Sequence, residues 1–213
     1  MKPLEGHISR AFDGALGALH LHVITMGSLA VDQVRTAVRA YANWDAAGAR
    51  TVMERERAIN AYDHALDEEQ LALLARRQPV ASDLRFVIAF SRAVAELERV
   101  GDEAKKIARV VLLDEGPPTP PVIRDISDLG QRAEALLRRS LEALDVLDGA
   151  DAAAIVAADK EVDRQYEEAM ERLFTRAAPE PAQFRRVVHA AFVLKSLERI
   201  GDHARNLARL LRD

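Results

Sequence analysis

Apolar residues recur every three or four positions along almost the whole chain. No stretch alternates with the period of two that marks a half-buried strand. The pattern predicts an all-α protein of six helices. The first runs from about Ile8 to Asn43, roughly 50 Å at 1.5 Å per residue. Asp45 caps a second helix that ends near Arg77, where Gln78-Pro79 breaks the chain. Ser82 or Asp83 starts a third helix, ending near Leu113. Asp114-Glu115-Gly116-Pro117-Pro118-Thr119-Pro120-Pro121 holds four prolines and a glycine and reads as a linker. Beyond it the punctuation repeats. A helix from about Val122 to Leu147 ends at a turn, Asp148-Gly149. A helix from about Asp151 to Arg176 is broken at Pro179-Glu180-Pro181, and a last helix runs to about Leu211.

The two halves are copies of one unit. Pro79–Val111 aligns without a gap on Pro179–Leu211 at an offset of 100, with eleven of 33 positions identical. Glu98/Glu198, Arg99/Arg199, Gly101/Gly201 and Asp102/Asp202 are among them. The preceding helices align at an offset of 103, which pairs Asp45 with Asp148, Glu56 with Asp159, Ile59 with Val162 and Asn60 with Asp163. Each copy carries a bundle seam: Val87, Phe90, Val94, Leu97, Gly101, Ala104, Ala108 and Val111 in one, Val187, Ala190, Leu194, Leu197, Gly201, Ala204, Ala208 and Leu211 in the other. A glycine inside a helix costs about 1 kcal/mol against alanine, so its recurrence in the seam predicts the close approach of a neighbouring helix. The architecture expected is two tandem three-helix bundles side by side: residues 1–113, a linker over 114–121, and residues 122–213.

Glu98 and Asp102 lie four residues apart on one helix face, with Cβ atoms roughly 5–6 Å apart. Glu198 and Asp202 repeat the arrangement. On the helix before each pair, Asp159 and Asp163 share that spacing, as do Glu56 and Asn60. Two readings suit such groups. One is a solvated acidic face neutralised by Arg99, Lys105, Lys106 and Arg109 in the first copy and by Arg199, Arg205 and Arg209 in the second. The other is an oxygen-ligand site for a hard cation such as Mg²⁺, Mn²⁺, Ca²⁺ or iron. His203 follows Asp202 directly but projects about 100° away from it. No Glu-x-x-His, Walker-type loop, nucleophile elbow or His-Glu-x-x-His is present. A carboxylate-bridged metalloenzyme and a metal-free helical interaction module remain the alternatives. The segment Arg77-Gln78-Pro79-Val80-Ala81-Ser82-Asp83-Leu84-Arg85 is either a helix stop with an N-cap or a partner contact through Arg77 and Arg85.

Composition narrows the picture further. With no cysteine, disulfides and thiolate metal sites are out, and an intracellular protein is the simpler expectation. The net charge of -4 argues against a nucleic-acid binder. The first residues carry no signal-type apolar core, and no apolar run is expected to span a bilayer. Work at a membrane would then be by docking onto a partner.

Ala95-Glu96-Leu97-Glu98-Arg99-Val100-Gly101-Asp102 and Ser196-Leu197-Glu198-Arg199-Ile200-Gly201-Asp202-His203 resemble the paired motifs of the PhoU family, the phosphate-transport accessory and regulatory proteins of bacteria. Met26-Gly27 and the segment from Arg77 to Arg85 add to the resemblance, which covers nearly the whole chain. It implies metal sites, often multinuclear iron or zinc, with manganese or magnesium also compatible with carboxylates. Their ligands would be Glu98, Asp102, Glu198 and Asp202, joined by Asp159, Asp163 and Glu56, while Asn60 stands where the family has an acid. It also implies a cytoplasmic, often dimeric, non-enzymatic protein. Such a protein would couple the Pst phosphate ABC transporter, with its ATPase PstB, to a PhoR-type sensor histidine kinase and repress the phosphate-starvation response.

Overall fold

The computed structural model describes residues 10–77, 81–113, 116–176 and 181–211. They form six α-helices: α1 (Arg10–Asn43), α2 (Ala46–Arg77), α3 (Ala81–Leu113), α4 (Pro120–Asp145), α5 (Ala152–Thr175) and α6 (Pro181–Arg209). No strand occurs among the described residues. α1, α2 and α3 pack against one another, and so do α4, α5 and α6. The two bundles lie side by side through α1 on α4 and α3 on α6.

The turns that fold each copy are built alike. After α1, the amides of Trp44 and Asp45 donate to the carbonyls of Tyr41 (3.3 Å) and Ala40 (2.8 Å). After α4, the amides of Leu147 and Asp148 donate to those of Leu144 (3.2 Å) and Ala143 (3.1 Å). This is the paired-bond helix stop that needs a left-handed residue, usually glycine. Here Trp44 and Leu147 fill it, both at φ 53°. Asp45 and Asp148 then turn their carboxylates onto the amides of Ala47 and Ala150, each at 2.9 Å. The equivalence at offset 103 thus extends to backbone conformation.

Two expectations are adjusted. α4 begins at Pro120, so Pro120 and Pro121 belong to its first turn. Proline is tolerated there because those amides have no intrahelical acceptor. α1 is also more apolar than expected: Gly14–Asn43 is long and apolar enough to cross a membrane by composition. The bundle accounts for that character. α1 faces α2, α3 and α4, and buries Leu16, Leu19, Val23, Met26, Ala30 and Val34 among them.

The bundle–bundle contact is reciprocal. On the α1/α4 face, Gly27 lies under Leu141 and Gly130 lies under Val38. These are the same two positions of each copy, 103 residues apart. Arg35 adds a fork onto Glu134, with Nε and Nη2 donating to Oε1 at 3.0 and 2.8 Å. On the α3/α6 face, His203 Nδ1 lies 2.7 Å from Glu96 Oε2, Asn206 donates to the same oxygen at 3.1 Å, and Arg199 pairs with Glu103 at 3.3 Å.

Candidate metal centre

The seam glycines hold the buried acids in place. A Cβ at Gly101 would stand 3.1 Å from Glu56 Oε2 and 3.1 Å from Ile59 Cδ1. One at Gly201 would stand 3.1 Å from Val162 Cγ1 and 3.2 Å from Asp159 Oδ1. The gap each glycine leaves is therefore filled by an acid and a β-branched side chain of the facing helix. Glu56 is 2% exposed and Asp159 1%.

In the first copy, Glu56 Oε2 accepts a hydrogen bond from Gln33 Nε2 (2.8 Å), which also reaches the Gly101 carbonyl (3.3 Å). Glu56 Oε1 accepts none. Lys105 stands loosely between the acids, 3.8 Å from Glu56 Oε1 and 3.5 Å from Asp102 Oδ1. Burial raises the Glu56 carboxyl above the usual range, although Gln33 and Lys105 oppose it. Burial, then the charges of Asp102 and Asp63, raise Glu98 in the same way.

In the second copy, oxygens of Asp159, Asp163 and Asp202 lie within 4.8 Å of one another. No other group of three acids or histidines gathers in this way among the described residues. Arg205 Nη1 reaches both Asp159 Oδ2 (2.5 Å) and Asp202 Oδ1 (2.6 Å). Burial works against the Arg205 charge, but these two carboxylates outweigh it and hold the guanidinium more firmly protonated than a free one. Asp159 is nevertheless raised, because its own burial outweighs what Arg205 returns. One arginine shared by two carboxylates does not fully cover an acid this deep, and Asp159 Oδ1 has no hydrogen-bond partner.

Of the expected ligands, Asp159, Asp163 and Asp202 are brought together. Glu198 is engaged by Lys195 at 2.6 Å, whose ammonium also lies over the Tyr166 ring. Glu56, Glu98 and Asp102 sit near one another without closing into a comparable cluster. Of the expected neutralising cations, Lys105 and Arg205 reach the acids, whereas Arg99 pairs with Glu96 (3.0 Å), Lys106 with Glu103 (2.9 Å) and Arg199 with Glu103. His203 faces Glu96 across the bundle interface, away from the cluster. Gln33 and Asp63 are the participants that helical spacing missed. Asp63 lies seven residues after Glu56, two turns along the same helix, which is the signal that could have found it. Arg85 is exposed, whereas the Arg77 side chain and Gln78–Val80 lie outside the described residues.

The donors suit a hard cation. They are carboxylates, they repel one another, and each copy holds a buried oxygen with no hydrogen-bond donor on it. Asp159, Asp163 and Asp202 would hold an ion in the second copy, and Glu56, Glu98 and Asp102 in the first. Such an ion would supply positive charge and draw α2 to α3, or α5 to α6.

Fold and site together define an all-α protein of duplicated three-helix bundles with a carboxylate cluster on its facing helices. The family model described as the PhoU domain matches residues 23–111 and again 126–211. The chain belongs to the PhoU family. It is 40% identical over 210 residues to the phosphate-specific transport system accessory protein PhoU homolog of Pseudomonas aeruginosa, covering 98% of this chain and 86% of that one. It is 35% identical over 208 residues to the phosphate-specific transport system accessory protein PhoU of Escherichia coli, with the same two coverages. The crystal structure of PhoU from Pseudomonas aeruginosa superposes with a TM-score of 0.89 at 39% identity, over 94% of this chain and 96% of that one. The phosphate transport system regulatory protein PhoU from Streptococcus pneumoniae gives 0.85 at 26% identity, over 94% of each.

Proposed function

We propose that this protein is a non-catalytic accessory regulator of phosphate uptake that binds a di- or trivalent cation at its duplicated carboxylate sites. It works in the cytoplasm, as a homodimer, and reaches the membrane only through its partners. Those partners are the Pst transporter, through its ATPase PstB, and a PhoR-type sensor histidine kinase. When phosphate is plentiful it represses the phosphate-starvation response. One observation carries the reading: relatives named as accessory proteins of the phosphate-specific transport system match over 98% of this chain. The metal part rests on the gathered oxygens of Asp159, Asp163 and Asp202. The partner surface is proposed to include Arg77, the last residue of α2, and Arg85, near the start of α3.

The test is a deletion strain carrying an alkaline-phosphatase reporter, grown in high phosphate. The reporter should rise on deletion and fall again on complementation with the intact gene. Continued repression in the deletion strain, with normal phosphate uptake, overturns the regulatory reading. Complementation with Glu98→Gln/Asp102→Asn and with Asp163→Asn/Asp202→Asn asks whether the carboxylates take part.

A further inference from the structure

We propose that the Arg205 guanidinium is a built-in occupant of the second carboxylate site, so that a metal ion enters there only by displacing it. The first site, with Lys105 in the equivalent place, then fills at lower ion concentration. The inference rests on the metal reading above and adds an order of filling to it.

Lys105 and Arg205 are the same position of the two copies, three residues after Asp102 and Asp202. They do different things. Arg205 reaches two carboxylates on two helices at 2.5 and 2.6 Å, and its side chain is mostly buried. Lys105 stands 3.5 and 3.8 Å from its acids with a more open side chain. An ammonium on a flexible, hydrated stem swings out to water at little cost. A guanidinium already paired with two carboxylates does not. Two further differences offset each other: Lys195, which engages Glu198, has Ala95 as its counterpart in the first copy, while Asp163 has Asn60. The second site thus carries one more positive charge and one more carboxylate than the first, and the order of filling rests on how firmly Arg205 is held.

Arg205 is an imperfect occupant. Its Nε is buried without a partner, and Asp159 Oδ1 beside it is buried without a donor. A guanidinium donates only in its own plane, whereas a hard cation gathers six or more oxygens around itself. The arginine therefore keeps the three aspartates assembled while leaving ligand capacity unused.

The experiment is calorimetric titration of chelator-stripped protein with Mn²⁺. Wild type should show a tighter class of sites, lost in Glu98→Gln/Asp102→Asn, and a weaker class, lost in Asp163→Asn/Asp202→Asn. Arg205→Ala should tighten the weaker class by about tenfold or more, the equivalent of one charge-assisted hydrogen bond that no longer has to be broken. Arg205→Lys, which keeps a counter-charge on Asp159 and so guards against misfolding, should tighten it in the same direction. Lys105→Arg should weaken the tighter class and leave the other unchanged. A weaker class that does not respond to Arg205→Lys overturns the inference while leaving the metal reading intact, as does a second site that is the tighter one in wild type. Failure of wild type and every folded variant to bind Mn²⁺ overturns both.

Discussion

Gly130 sits directly beneath Val38, so that a Cβ on Gly130 would come within 2.7 and 2.8 Å of both valine methyls. Valine has one stiff torsion and no far end to swing aside. Gly130→Ala must push α4 away from α1. Overpacking costs typically 1–3 kcal/mol, against about 1 kcal/mol gained in helix propensity, so a net loss of about 1 kcal/mol is expected. Urea denaturation of the variant measures it, and Gly130→Ala/Val38→Ala should recover part of the clash. At the mirror position, Gly27→Ala meets the end of Leu141, a longer and more adaptable side chain, and should lose less.

Acidity should act on the ion-free protein through two sets of carboxyls with opposite sign. Glu56, Glu98 and Asp159 are raised, in each case first by burial. The folded form therefore binds more protons than the unfolded form. Stability falls as pH rises from the ordinary carboxylate range, about pH 4, through the raised values, and the penalty persists above them. Glu96 goes the other way. Burial pushes its carboxyl up, but hydrogen bonding to His203 and Asn206 outweighs this and brings it below the usual range. Its contribution is present above the unfolded value and lost as pH falls through the folded one. Glu56→Gln keeps the shape and an acceptor for Gln33 while removing the buried charge. In EDTA it should raise the melting temperature at neutral pH, and the gain should disappear at about pH 4. A melting temperature at neutral pH that is unchanged or lower contradicts this account of Glu56.

Metal should reverse that ranking. An ion that binds only the folded chain at 100 times its dissociation constant adds about 2.7 kcal/mol. Chelator-stripped wild type should therefore gain several degrees in melting temperature on adding Mn²⁺. Glu98→Gln/Asp102→Asn should lose most of that gain, and EDTA should return wild type to its starting value.

Leu147 tests how far a buried anchor outweighs a strained backbone. At φ 53° it holds a conformation that costs an ordinary residue about 1–2 kcal/mol and glycine almost nothing. Its side chain, however, is 7% exposed and packed in the core. Truncating a buried leucine costs about 2–5 kcal/mol. Leu147→Gly should therefore destabilise by about 1–3 kcal/mol despite relieving the strain. Equilibrium unfolding distinguishes this from a stabilisation, which would mean the backbone term dominates.

The helices and their duplication were legible because period 3.6, proline and glycine are local signals. Aligning the copies shows that whatever meets Gly101 in one half has its counterpart on Gly201 in the other, but which turns meet, Glu56 on Gly101 and Asp159 on Gly201, is set by how the helices pack. What stayed hidden is what distance along the chain conceals. Gln33 serves Glu56 from a third helix, and nothing in the apolar run of α1 marks it apart from other polar residues. Arg205 could not be told from Arg199 or Arg209 by type, because only the helix's position against α5 decides which arginine meets Asp159. Trp44 and Leu147 are concealed for the opposite reason: glycine is the usual signal of such a stop, and the chain uses large apolar residues there.

The reciprocal packing of Gly27 on Leu141 and Gly130 on Val38 is the kind of contact two identical subunits make around a twofold axis. In an assembly of separate identical chains, any residue altered on one side of such an axis is altered on the other. Joining the halves in one polypeptide lifts that obligation. Asn60 can stand opposite the slot of Asp163, and Lys105 opposite that of Arg205, without the partner half following. The molecule keeps the shape of a symmetric pair but is free to become lopsided in its chemistry, one half tuned without retuning the other.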